Sequence, residues 1–154
     1  MLEHAHAGVA PSLNRLAASA TTHCLTGCLT GEVTGMVAGT AMGWGEVQTM
    51  VLAIVLAFMF GYALTAYPLV KAQLALGTIV STAFAADTVS IAIMEAVDNG
   101  FILAVPGALE AGLGDALFWW PLLTGFAIAW PISFLVNRVM IRRGKGHAVV
   151  HEYH

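Results

Sequence analysis

The sequence predicts an all-α protein: a polytopic membrane bundle of four transmembrane helices with both termini in the cytoplasm. Three observations carry this. The 154-residue chain is 58% hydrophobic and only 10% charged, with a mean hydropathy of +0.80, beyond the range of ordinary soluble domains. Apolar runs recur near residues 18–42, 47–68, 73–98 and 116–141. Each is long enough to cross about 30 Å of hydrocarbon at about 1.5 Å per residue. With four crossings, all six Lys and Arg residues (Arg15, Lys71, Arg138, Arg142, Arg143 and Lys145) fall on one side, and Glu46, Glu110 and Asp115 on the other. That is the positive-inside pattern.

Residues 1–17 form a cytoplasmic tail, 18–141 the membrane domain and 142–154 a second cytoplasmic tail. Residues 1–16 lack the apolar core of a signal peptide, so the first hydrophobic run is expected to remain as a spanning helix. Gly43-Trp44-Gly45 closes the first helix, Tyr67-Pro68 the second and Asn99-Gly100 the third, with Pro106-Gly107 in the connection to the fourth. Residues 101–105 either lengthen the third helix or lie along the outer interface. Trp44, Trp119 and Trp120 sit at the outer interface and Tyr67 at the inner one, as amphipathic rings prefer. The partner implied is a lipid bilayer. A net charge of −3 argues for no nucleic acid, and two cysteines on one helix leave no extracellular disulfide framework.

Within the first helix, Cys24, Cys28, Glu32 and Met36 recur at every fourth position. Residues four apart lie one above another, so two thiols, a carboxylate and a thioether share one slowly winding face. A carboxylate at a helix centre costs about 2.5–3.5 kcal/mol on insertion scales, so this face must meet protein, water or a cation. The third helix runs the same way and carries Asp87, Met94, Glu95 and Asp98. Glu32 and Asp87 are expected at similar depth near the midplane, with Glu95 and Asp98 forming the outer mouth. No Lys or Arg in the spans neutralises these four acids. Packed together in low dielectric they cannot all stay ionised, so protons or a cation must be among them.

Thiolate and thioether ligands favour Cu(I), and a Cys/His/carboxylate mixture also suits Zn²⁺ or Fe²⁺. Each residue also has a plainer reading. Cys24 and Cys28 can be small buried hydrophobes, Met36 and Met94 packing residues, and Asp98-Asn99-Gly100 a helix end. His23 marks the cytoplasmic entrance or caps the interface. In the tail, His147, His151 and His154 would share a face if helical and form a secondary metal site; His4 and His6 make a weaker pair. Gly27, Gly31, Gly35, Gly39 and Gly43 form a row at four-residue spacing. Such a row admits close helix approach, either to the third helix or as the seam of a homo-oligomer.

The block His23-Cys24-Leu25-Thr26-Gly27-Cys28, with Gly31-Glu32 and Gly35-Met36, resembles an uncharacterised prokaryotic family of small integral membrane proteins known only as a domain of unknown function. The resemblance extends through Ala86-Asp87-Thr88-Val89-Ser90-Ile91, Met94-Glu95, Asp98-Asn99 and Gly146-His147-Ala148-Val149-Val150-His151. It implies a helical protein of the prokaryotic cytoplasmic membrane and, through an association with heavy-metal genes, a role with copper or similar ions.

The expected function is binding and translocation of a transition metal ion, copper favoured and zinc or iron admitted. Cys24, Cys28 and Met36 would supply soft ligands, and Glu32, Asp87, Glu95 and Asp98 would carry protons or funnel the ion. The alternatives are a membrane thiol oxidoreductase cycling Cys24 and Cys28, and a non-catalytic accessory subunit. The chain has no Walker-type glycine loop, which excludes a P-loop ATPase.

Overall fold

The computed structural model describes residues 11–148 and 150. Among them are four long helices, α1 (Leu13–Ala41), α2 (Glu46–Lys71), α3 (Leu76–Ala104) and α4 (Ala116–Arg142), followed by a 3-10 turn at Gly146–Ala148. Among the described residues there is no strand, so the fold is all-α. Short connections make the helices run alternately up and down. Successive helices pack side by side, α4 closes the ring on α1, and α1 approaches α3 across the centre. The two acid-bearing helices therefore face one another inside the bundle.

Local chemistry sets the helix ends. Ser12 caps α1 by accepting from the Arg15 amide at 3.4 Å, and Asp115 caps α4 by accepting from the Leu117 amide at 2.9 Å. Gly43 and Gly144 adopt φ of 68° and 66° after α1 and α4. In each case the next amide returns to the helix, Trp44 to the Gly39 carbonyl and Lys145 to the Met140 carbonyl, both at 2.9 Å. This is the Schellman arrangement, for which glycine has the lowest backbone cost.

Two boundaries differ from expectation. Pro68 lies inside α2 rather than ending it, as membrane helices tolerate when neighbours satisfy the freed carbonyl. Asn99-Gly100 does not terminate α3, because the Asn99 side chain bonds back to the Glu95 carbonyl at 3.1 Å and the helix continues. Residues 101–104 accordingly lengthen the third helix.

By length and composition, α2, α3 and α4 can cross a membrane, whereas α1 falls short. The expectation of four equally apolar spans is corrected here. At 29 residues α1 is long enough, but its glycines, threonines, Asn14, Arg15, His23 and Glu32 lower its hydropathy.

The glycine row packs against α2, neither against α3 nor on an open face. A Cβ on Gly27 would come within 2.7 Å of the Gly61 Cα, one on Gly31 would overlap Leu56 and Ala57 backbone, and Gly35 and Gly39 meet Ala53 and Thr49. Thr49, Ala53, Ala57, Gly61 and Thr65 form a matching small-residue row on α2, all buried. The two rows interlock because each leaves room for the other's backbone. Gly27, Gly31, Gly35 and Gly39 are thus used within the chain and are not available as a homo-oligomer seam.

Candidate metal and acid sites

The bundle centre holds two separate polar groups on the α1–α3 seam. Nearer the chain's C-terminal turn, the Cys24 thiol donates to Asp87 Oδ1 at 3.6 Å, and His147 Nε2 lies 3.1 Å from the same oxygen and 3.9 Å from Cys24 Sγ. These three ligand atoms lie within 4.8 Å of one another, and all three residues are buried. Zn–S bonds of about 2.3 Å and Zn–N or Zn–O bonds of about 2.0–2.1 Å at tetrahedral angles put ligand atoms about 3.3–3.6 Å apart. The observed spacings need only a few tenths of an ångström of adjustment. Among the described residues the second carboxylate oxygen, Asp87 Oδ2, is buried without a hydrogen bond of good geometry, a costly state unless another partner is accommodated.

His147 reaches this site because the chain reverses after α4. Gly144 and Gly146 both take positive φ, and Gly146 seats against Met140 and the Ala86 carbonyl, where a Cβ would come within 2.9 Å of the Met140 side chain. The tail therefore folds back onto α3 and buries the imidazole. His147 belongs to the main site rather than to a separate tail site; His151 and His154, like His4 and His6, lie outside the described residues.

His23 stands beside this group without joining it. Its Nε2 is 3.0 Å from Thr65 Oγ1, and its ring meets the His147 ring edge-on with centroids 5.6 Å apart. His23 and His147 line a cavity of about 160 Å³ with Ser19, Ala20, Thr65, Pro68 and Val150. That location is an approach to the Cys24 site.

The second group comprises Cys28, Glu32, Glu95 and Asp98. Glu32 is 1% exposed, Glu95 4% and Asp98 0%. Glu32 and Asp98 are close enough for one carboxyl to donate to the other, and Glu95 lies against Cys28. Asn99 Nδ2 donates to Glu95 Oε2 at 3.2 Å. Glu32 Oε2, Glu95 Oε1 and both Asp98 oxygens lack a side-chain donor. Among the described residues no Lys or Arg pairs with any of them. Gly125 on α4 makes the space: a Cβ there would overlap Asp98 Oδ1.

These placements revise the expected geometry. Glu32 points inward, but its partner is Asp98, while Asp87 partners Cys24. Helix α1 starts at Leu13 rather than near 18, and α3 at Leu76 rather than 73, which shifts the two acids to different depths. Glu95 and Asp98 lie in the interior and form no mouth. Met94 is fully buried among the core side chains. Met36 lines a different cavity, of about 280 Å³, at the opposite end of the bundle with Met50, Glu46, Glu110 and Trp44. Cys24 and Cys28 are both free thiols with separate partners.

Sequence reasoning missed one tie. Asn137 on α4 donates to Thr21 Oγ1 at 2.9 Å and Ser90 Oγ at 3.0 Å, joining α1, α3 and α4 beside the Cys24 site. A fully buried amide in an otherwise apolar helix, one turn after Ser133, was the available signal.

Comparison with the curated proteins and with the solved structures gives no match to this chain. A family model described as a domain of unknown function, DUF4396, matches residues 13–146. That span takes in all four helices and reaches Gly146, next to His147, and the chain belongs to this family.

Proposed function

We propose that this protein spans the membrane four times and carries a divalent transition metal ion of the zinc class across it, binding the ion at Cys24, Asp87 and His147. The observation that carries the reading is the buried thiol–carboxylate–imidazole triad at near-tetrahedral spacing. One sulfur, one oxygen and one nitrogen suit Zn²⁺ or Fe²⁺ better than Cu(I), which prefers several soft sulfur ligands. Three ligands among the described residues match the number that zinc sites use when a further position exchanges its ligand.

Hydrogen bonds hold the triad together. The Cys24 thiol donates to Asp87, and His147 Nε2 is within hydrogen-bonding distance of the same oxygen. A metal ion would replace these contacts, which requires the thiol to lose its proton. Thr21, Ser90 and Asn137 hold the surrounding helices in register.

The seam supports passage as well as binding. The cavity at His23 and His147 adjoins the triad from one end, the acid group lies deeper along α1, and the Met36 cavity opens at the other end. Glu32 is eight residues beyond Cys24, about 12 Å at about 1.5 Å per residue.

For α1 as the fourth crossing, its exposed threonines supply support. Thr26, Thr30 and Thr34 each donate to the carbonyl four residues earlier, at 2.6–2.8 Å, so their hydroxyls need no water. The basic residues at the end bearing the His147 turn support a cytoplasmic location for that end.

Zn²⁺ uptake into liposomes containing the purified protein, read by an internal zinc dye, tests the proposal. Wild type should exceed empty liposomes, and Cys24→Ser and Asp87→Asn should each lose at least about tenfold in rate. Equal uptake by wild type and empty liposomes would overturn it.

A further inference from the structure

We propose that the Glu32–Asp98 pair is a proton-binding site that holds one proton between two carboxyl groups and supplies the counter-ion for the metal. The counter-ion role rests on the proposed function above; the proton site itself does not.

The geometry comes first. The two carboxyls come from opposite helices, are 1% and 0% exposed, and stand within donating distance of one another. Neither Asp98 oxygen nor Glu32 Oε2 receives a side-chain donor. Of the groups facing them, Glu95 and Cys28 from α3 and α1 are titratable and neither is a base with a positive charge; α4 contributes Gly125, which has no side chain, and the backbone amide of Phe126 beside Asp98. Two adjacent ionised carboxylates in such a place repel with no positive charge among the described residues to offset them. One shared proton converts the repulsion into an O–H···O⁻ hydrogen bond, among the stronger kinds.

A metal ion is the weaker occupant. Among the described residues, the ligand atoms that come within 4.8 Å of one another as a group of three belong to Cys24, Asp87 and His147, and those of the acid group do not. The pair can share a proton as it stands, whereas holding an ion would need rearrangement.

Access also exists. Met36 lies one turn beyond Glu32 on the same helix face and lines the cavity of about 280 Å³, so water in that cavity comes within one helical turn of the carboxyl pair. The exchange balances as a simple transfer. The shared proton leaves the pair to water in that cavity, the pair becomes a dianion, and it takes up a proton again as positive charge departs from the seam.

Infrared difference spectroscopy of membrane-reconstituted protein at neutral pH tests the site without any metal. Wild type should show a protonated-carboxyl C=O band that shifts in D₂O, and Glu32→Gln and Asp98→Asn should each remove it. No such band, or a band unchanged in both variants, would overturn the proton site. In liposomes with an internal pH dye, Zn²⁺ flux by wild type should move protons the opposite way. Glu32→Gln should abolish that proton flux and lower Zn²⁺ flux at least about tenfold, while Zn²⁺ binding in detergent persists. Loss of Zn²⁺ binding in Glu32→Gln would instead put the metal in the acid chamber. Zn²⁺ flux without proton movement would overturn the coupling, and absence of Zn²⁺ binding by wild type would overturn the metal reading while the infrared result still decides the proton site.

Discussion

Cys24 Sγ and His147 Nε2 lie 3.9 Å apart although 123 positions separate them in the chain. The fold makes this contact by returning the segment after α4 to the bundle, so the tail completes a site that helices α1 and α3 begin. Several consequences are measurable.

Replacing His147 should weaken metal binding far more than replacing Cys28. Detergent-purified His147→Ala, titrated with Zn²⁺ against a chelating dye, should lose about 10–100-fold or more in affinity, the scale expected when a ligand or its supporting partner is removed. Cys28→Ser should remain within about twofold, since Cys28 has Glu95 as its hydrogen-bonding partner and is not one of the three clustered ligand residues. The reverse ranking would move the site to Cys28.

Metal affinity should rise with pH. Binding needs the Cys24 thiolate, and an ordinary thiol is protonated below about pH 8.5. Each ion bound therefore releases a proton, and affinity should climb by up to about tenfold per pH unit through the neutral range. In Cys24→Ser that slope should flatten along with the loss of affinity. Isothermal titration in buffers of differing ionisation enthalpy counts the protons directly; a release of zero would be incompatible with a thiolate ligand.

The glycine–small-residue seam should be intolerant of bulk. Gly31→Val forces a side chain into the Leu56 and Ala57 backbone, and overpacking of this kind costs about 1–3 kcal/mol or more. Gly100, against which nothing packs, should accept Ala with a change within about 0.5 kcal/mol. Reversible unfolding in mixed micelles compares the two, and similar stabilities would show that α1 and α2 do not depend on this contact.

Removing the Asn137 amide should loosen three helices at once. Asn137→Ala leaves Thr21 and Ser90 without their shared donor, a loss of about 1–3 kcal/mol for buried polar groups. Thiol labelling of Cys24 by a small alkylating reagent should accelerate in this variant, because the helices around it separate more often. Unchanged labelling would show the amide to be incidental.

Much of the architecture was legible in the sequence because hydropathy, helix length and turn residues speak to local structure. The all-α fold followed from hydropathy and helix length, and the inward placement of Glu32 and Asp87 from the cost of acids in an apolar helix, whereas Glu95 and Asp98, expected at an outer mouth, are buried. The pairing of those acids did not, because it depends on where α1 and α3 begin relative to each other, and a shift of a few residues exchanges partners. The target of the glycine row was equally hidden: the spacing announces close approach but carries no name for the neighbour. The role of His147 depended on two positive-φ glycines, Gly144 and Gly146, whose effect on the path of the chain is tertiary.

X-ray absorption at the zinc edge of the Zn²⁺-loaded protein tests the central claim most directly. The account predicts one bound ion per chain with a single sulfur at about 2.3 Å and remaining nitrogen or oxygen ligands at about 2.0–2.1 Å, the sulfur signal vanishing in Cys24→Ser. Two sulfur ligands, none, or a signal that survives that substitution would contradict it.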